Sequence, residues 1–162
     1  GDELEYLAGL PFFHGFEADE VGAIVGGLER RWADRGAVLV AEGERPEGLL
    51  LVVHGAVEAT LRGPGAAARV LLAGPGRCAG HLGTLDDGVS PVVCRARERC
   101  VVLLLTREHL LALRESDLPL DRRLVRALYD DVVGAVEQAQ RPLARLAASG
   151  IDPGMLGAPD PS

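Results

Sequence analysis

From Arg30 onward the chain is cut into short apolar segments by turn residues at nearly regular intervals, and this rhythm restricts the possible folds more than any other feature. Residues 31–33, 37–41, 49–53, 57–61 and 69–73 are the first segments; Arg35-Gly36, the run 42–48, His54-Gly55, Gly63-Pro64-Gly65 and Gly74-Pro75-Gly76 separate them. After a Gly-rich stretch, residues 92–96 and 101–105 form a last pair joined at Arg97-Glu98-Arg99. Strands this short, punctuated this evenly, predict an antiparallel β-roll or barrel. The unbroken apolar run 101–105 predicts burial on both faces, by the barrel interior and by a helix.

Helical periods flank this region. Leu4, Leu7 and Leu10 share a helical face that Pro11 stops. A second helix follows Phe16, with Asp19 as its expected cap and Val21, Ile24, Val25 and Leu28 as one apolar stripe. Gly22, Gly26 and Gly27 weaken it by about 1 kcal/mol each relative to Ala, so it must lean on tertiary packing or admit a close neighbour. Thr106 is the expected N-cap of a third helix through Glu115, with Glu108 in its first turn. A break at 116–119 leads into a long helix over 120–148, where Pro142 is expected to kink or end the helix.

On that helix Val125, Leu128, Val132, Ala135, Ala139, Pro142 and Leu146 recur at spacings of three and four, a dimer-type seam. Leu124, Val136 and Leu143 widen the stripe, so that one face can also pack on the barrel. The expected organisation is therefore N-terminal helices over 1–29, a β-roll over 30–106 containing a turn at 76–91, and C-terminal helices over 107–149. Residues 150–162, with three prolines and three glycines, read as a flexible tail or linker.

Seventeen basic against 24 acidic residues give a net charge of −7, the wrong sign for gripping a phosphate backbone, so nucleic-acid binding by this chain alone is not expected. No apolar run approaches the roughly 20 residues that span a bilayer, and no basic-then-apolar leader opens the chain, so a cytoplasmic protein without membrane contact is expected. Cys78, Cys94 and Cys100 are odd in number and lack a paired-motif spacing, so no disulfide framework is expected; they read as small buried apolar residues.

The stretch 76–96 reads Gly-Arg-Cys-Ala-Gly-His-Leu-Gly-Thr-Leu-Asp-Asp-Gly-Val-Ser-Pro-Val-Val-Cys-Arg-Ala. Gly80, Gly83 and Gly88 allow a turn with no more than one or two helical turns, and a short helix opening at a glycine presents unpaired amides to an anion. A plain Gly-rich connection between strands is the other reading. With Phe12-Phe13, Gly36, Glu42-Gly43-Glu44, the strand 49–53 and Gly55-Ala56-Val57 in order before it, this stretch resembles the phosphate-binding cassette of the cyclic-nucleotide-binding domain. The resemblance runs from about residue 10 to 146. It implies a regulatory β-roll whose second helix moves on ligand binding and whose long C-terminal helix pairs with a second copy. The sequence holds no helix-turn-helix after that helix.

The resemblance also implies a ligand site: a Gly-Glu-Leu whose Glu accepts from the ribose hydroxyl, an Arg on the cyclic phosphate followed by Ser or Thr, and hydroxyls on the long helix at the base. Gly80 and Leu82 match, and Gly83 follows. His81 stands in place of the Glu, Ser90 in place of the Arg, and Pro91 in place of the Ser/Thr; Ala135 and Val136 occupy the base-side positions. A charged hydrogen bond contributes about 1.5–3 kcal/mol, so weakened cyclic-nucleotide binding is expected. Arg77, just before the turn, could reach over it and replace the missing cation. His81 is expected to cap or line a solvated turn, or, if functional, to donate to a phosphate or hydroxyl or to sense pH. Cys78 and His81 lie close to where haem-sensing members take a ligand, though one position out of step.

Three functions follow. One is a non-catalytic regulatory or sensor domain with weakened or altered nucleotide binding; another is a ligand-free degenerate domain serving dimerisation or docking in a larger protein; a distant third is a haem or metal sensor. No cofactor is certain, and a cyclic nucleotide is the candidate ligand. A homodimer through Val125, Leu128, Val132, Ala135 and Ala139 is expected, with a larger parent chain or an effector as further partner. An enzyme is not: a metal-dependent cupin needs clustered histidines, and His14, His54, His81 and His109 are scattered.

Overall fold

A computed structural model describes residues 2–62, 64–65, 67–85 and 88–148; the expected tail or linker 150–162 lies outside them. Helix α1 (Asp2–Ala8) and a 3₁₀ turn (Pro11–Phe13) precede α2 (Ala18–Val25). Strands β1 (Leu28–Ala33), β2 (Val38–Val40), β3 (Gly48–His54), β4 (Val57–Leu61), β5 (Ala68–Ala73) and β6 (Cys78–Ala79) follow. The chain continues as α3 (His81–Thr84), β7 (Val92–Ala96), β8 (Cys100–Thr106), α4 (Arg107–Ser116) and α5 (Leu118–Ala148). The strands form two antiparallel four-stranded sheets, ordered β1-β8-β3-β6 and β2-β7-β4-β5, which together make the expected β-roll.

Alternation along β3 and β8 sorts their side chains between two cores. Leu49, Leu51, Val53, Val101, Leu103 and Leu105 face the helices, where Phe12, Phe13, Ile24, Leu110, Leu124 and Leu128 complete one cluster. Leu50, Val52, Val102 and Leu104 face the roll interior with Val57, Ala59, Val92 and Cys94. The run 101–105 is thus buried on both faces, as its lack of alternation predicts. All three cysteines are free and buried.

The helix starts and stops differ from expectation in instructive ways. Glu17, not Asp19, caps α2, through a capping box in which the Glu17 amide donates to Glu20 Oε1 at 2.9 Å. Leu28 leaves the helical stripe and opens β1, because its partner is Leu105 on β8. Gly27 supplies the predicted close approach: a Cβ there would run into the His109 ring. Thr106 does cap α4, its hydroxyl accepting from the His109 amide at 3.2 Å. Helix α5 opens at Leu118, two residues early, because the Asp117 carboxylate accepts from the Leu120 amide at 2.8 Å and Pro119 is tolerated in a first turn. It also continues through Pro142 to Ala148 and so does not end there, although a proline removes one helical hydrogen bond.

Two glycines test these contacts in opposite directions. A Cβ at Gly48 would collide with the Leu105 carbonyl across the β3–β8 ladder, whereas one at Gly22 meets nothing within 4 Å. Gly48→Ala should therefore lose about 1–3 kcal/mol, and Gly22→Ala should gain about 0.4–1 kcal/mol by restricting the unfolded chain. Urea unfolding of both variants checks the pair, and equal effects would mean that the β3–β8 approach is not tight.

Candidate functional site

Helix α3 is one turn that opens at a left-handed glycine, Gly80 at φ 83°, and holds a second, Gly83 at φ 88°, within it. Both conformations favour glycine, and both positions are also crowded: a Cβ on Gly80 would lie 3.0 Å from the Gly48 carbonyl oxygen, and one on Gly83 would lie 2.8 Å from Pro46 Cδ. The β2–β3 loop holds the turn at each end. The Gly43 amide donates to the Ser90 carbonyl and the Ser90 amide to the Glu44 carbonyl, each at 2.8 Å. The Thr84 hydroxyl donates to the Gly48 carbonyl at 3.2 Å, and Arg107, the first residue of α4, donates to the Gly83 carbonyl at 2.7 Å. The turn is therefore fastened to the roll and to α4 by backbone acceptors.

His81 is not on a solvated turn. It is 3% exposed, and its Nε2 donates to Asp131 Oδ2 on α5 at 2.8 Å. Asp131 is itself buried and accepts from the Cys78 amide as well, at 3.0 and 3.2 Å. One carboxylate thus joins β6, α3 and α5. His81 Nδ1 is buried without a partner among the described residues, which marks the imidazole as incompletely satisfied. The reason the expectation failed is that α5 crosses directly over the turn and excludes water from it.

Ser90 is 1% exposed, and its hydroxyl serves its own turn, donating to the Val92 carbonyl at 2.7 Å and accepting from the Val92 amide at 3.2 Å. Pro91 is exposed. Leu82 lies within α3, and its side chain is outside the described residues. Arg77 lines a separate cavity beside Arg122, Arg123 and Arg126, and its guanidinium lies against Gly134 of α5. On the base side Ala135 is fully buried in the roll-interior cluster, and Val136 is half-buried. Burial, with the Asp131 carboxylate adding to it, pushes the Cys78 thiol well above its ordinary range, and burial pushes Cys94 up to about 11. Among the described residues no cluster of three His, Cys, Asp or Glu is placed to hold a metal.

The expected dimer seam divides. Leu128, Ala135 and Ala139 are buried against the chain's own roll, while Val125 is 46% exposed and Val132 is half-buried. The stripe that packs inward is Leu120, Leu124, Leu128, Asp131, Ala135 and Ala139, because this face has to fill both cores at once. Asp131 is the site residue that the reading by resemblance missed. Its signal was available: it is the one carboxylate at a position where the apolar period of α5 calls for an aliphatic residue.

Comparison with known proteins agrees with the fold. The family model for the cyclic nucleotide-binding domain matches residues 30–117. The Cyclic AMP receptor protein of Thermus thermophilus is 33% identical over 108 residues, covering 66% of this chain and 50% of the relative, so the chain spans about half that relative's length. The crystal structure of the Thermus thermophilus Catabolite Activator Protein superposes with a TM-score of 0.65 at 30% identity, over 85% of this chain and 63% of that one. A cyclic nucleotide-binding domain from Methylobacillus flagellatus gives a TM-score of 0.71 at 20% identity, over 88% and 80% of the two chains. With the roll, the cassette-like turn and the family model coinciding over more than half of its residues, the chain belongs to the cyclic nucleotide-binding domain family.

Proposed function

We propose that this chain is a non-catalytic regulatory domain in which a contact within the protein, His81 to Asp131, stands where the family's cassette would meet its nucleotide. That hydrogen bond carries the reading. The site has no side-chain cation at Ser90, no carboxylate at His81, and no hydroxyl at Ala135 or Val136. Instead the cassette turn is tied to the C-terminal helix at 2.8 Å by a buried pair 50 residues apart. A nucleotide would have to displace or reorganise this pair, so cyclic-nucleotide binding is weakened. The unpartnered His81 Nδ1 keeps a ligand hydroxyl within the reading, since a buried polar atom without a partner costs about 1–3 kcal/mol. No helix among the described residues is long and apolar enough to cross a membrane, and with the acidic net charge this supports a cytoplasmic role without nucleic acid for this chain.

The outward face of α5 supports a homodimer. Leu118, Val125, Tyr129 and Val133 are 58%, 46%, 65% and 38% exposed and lie along one side of the helix. An isologous pairing on that face would cover them in both copies.

Three outcomes follow. Cyclic AMP should bind the native chain with a dissociation constant well above the micromolar range by calorimetry. Installing charges with His81→Glu and Ser90→Arg alone should recover little, because the new carboxylate would face Asp131; adding Asp131→Asn should improve affinity ten- to a hundredfold. Micromolar binding by the native chain would end the proposal.

Asp131→Ala removes the acceptor shared by His81 and the Cys78 amide. It should lower stability by about 1–3 kcal/mol and raise amide exchange at least tenfold around residues 127–139, while β3 and β8 stay protected. Uniform loss of protection would count against a specific latch.

Val125→Asp with Tyr129→Glu should yield a folded monomer by sedimentation, because both side chains are exposed within one chain. Leu128→Asp should instead unfold the domain. A native chain that is monomeric at tens of micromolar would refute the dimer.

A further inference from the structure

On one side of the roll the two sheets end in strands β1 and β2, and no ladder joins them. Strand β2 is three residues long and its register shifts between Val38 and Val40, whereas β1 runs for six, with Glu29 to Trp32 all exposed. Among the described residues no strand pairs with the outer edge of β1, so alternate backbone amides and carbonyls along it face away from β8. Beside this edge lies a cavity of about 130 Å³, with Arg31 and Trp32 on the β1 side, Leu39 and Val40 on the β2 side, and Leu50 and Leu104 from β3 and β8. That is close to the ~150 Å³ of an apolar cavity that admits benzene, room for one apolar side chain.

The two faces of β1 differ in charge. Its register with β8 places Leu28, Arg30 and Trp32 opposite Leu105, Leu103 and Val101, on the face of the helical cluster. Glu29 and Arg31 lie opposite Leu104 and Val102, on the face of the roll interior. On the interior side Arg31 is matched by Glu29 and Glu47, at 3.2 Å each. On the other side the Arg99 guanidinium lies over the Trp32 ring, 5.8 Å from its centroid, so this face presents two cations and an aromatic ring beside β8 side chains that carry no charge. Trp32 is 65% exposed, and a tryptophan with an arginine at its face is the kind of anchor that dominates protein interfaces.

We propose that the β1 edge is a docking site for an extended acidic segment of a partner protein, which adds as a strand beside β1, sets one apolar side chain into the cavity and turns the acidic side chains on either side of it toward Arg30 and Arg99. A strand ~4.8 Å from β1 would lie over the seam between the sheets, and its alternating side chains fit the two faces in turn: apolar inward, where Arg31 is already neutralised, and carboxylate outward. The cavity also touches Gly48, whose carbonyl accepts from Thr84, so the site adjoins the cassette turn across β3; docking does not depend on a nucleotide there.

The acetylated and amidated heptapeptide Thr-Thr-Glu-Leu-Glu-Thr-Thr is the probe, titrated into the full chain at about 0.15 M salt, where diffuse charge attraction is largely screened. Trp32 is the chain's single tryptophan, so its emission reports on the site directly. That emission should shift saturably with a dissociation constant below about 1 mM, and replacing the peptide's Leu by Ala, or both its Glu by Lys, should weaken binding at least tenfold. N-methylation of one alternate set of peptide amides should cost at least tenfold and of the other set less than threefold, because only one edge of an added strand meets β1. Arg30→Glu with Arg99→Glu, both at exposed positions, should weaken the acidic peptide at least tenfold with the fold retained by circular dichroism, and should make the Lys peptide the better binder. No saturable shift up to about 5 mM, equal loss from both methylated sets, or no change on charge reversal would each overturn the site, as would a single-stranded oligonucleotide that shifts Trp32 where the peptide does not.

Discussion

Strand β8 is the constraint on which the rest of the molecule depends. It is hydrogen-bonded on one edge to β1 and on the other to β3, and its residues Cys100 to Leu105 are all buried. Because successive side chains point to opposite faces, this one strand belongs to both apolar clusters. The helices therefore cannot be a separate layer joined loosely to the roll: their core and the roll's core share the same backbone. Helix α5 has the same double membership, with Leu120, Leu124 and Leu128 in the helical cluster and Ala135 in the roll-interior cluster. Its rotation and axial position are set by having to fill both.

That placement explains the chemistry of the turn. Once α5 is laid across β6 and α3 by apolar packing, residue 131 must fall against the Cys78 amide and His81, where water is excluded. A buried carboxylate survives there because its oxygens accept three hydrogen bonds from these two partners. Pairs of this kind contribute modestly while intact and cost several kcal/mol when one partner is removed. They therefore fix relative positions more than they add stability. Here such a pair lets turn and helix hold each other directly.

The turn is fastened from the other side mainly through backbone groups, with one guanidinium added. Gly43, Glu44 and Gly48 act through their backbones, Pro46 by close packing, and Arg107 by donating to a carbonyl. Near the turn, Arg107 is occupied with the Gly83 carbonyl, and Arg77 lies in the cavity beside α5.

Local chemistry by itself determined the short strands, the left-handed glycines at 36, 55, 76 and 80, the Thr106 cap and the two-sided burial of 101–105, because turn residues, capping hydroxyls and apolar runs act over a few neighbouring positions. The ordered motifs also pointed to the family. What only the tertiary structure decided was where individual side chains point. Leu28 belongs to a strand because Leu105 is opposite it; Leu128, Ala135 and Ala139 face inward because two cores meet under α5; Arg77 leaves the turn for the space above Gly134. His81 finds Asp131 50 residues away for the same reason. Such contacts are set by how helices settle on a sheet, a balance of burial over the whole domain, and no spacing along the chain records it.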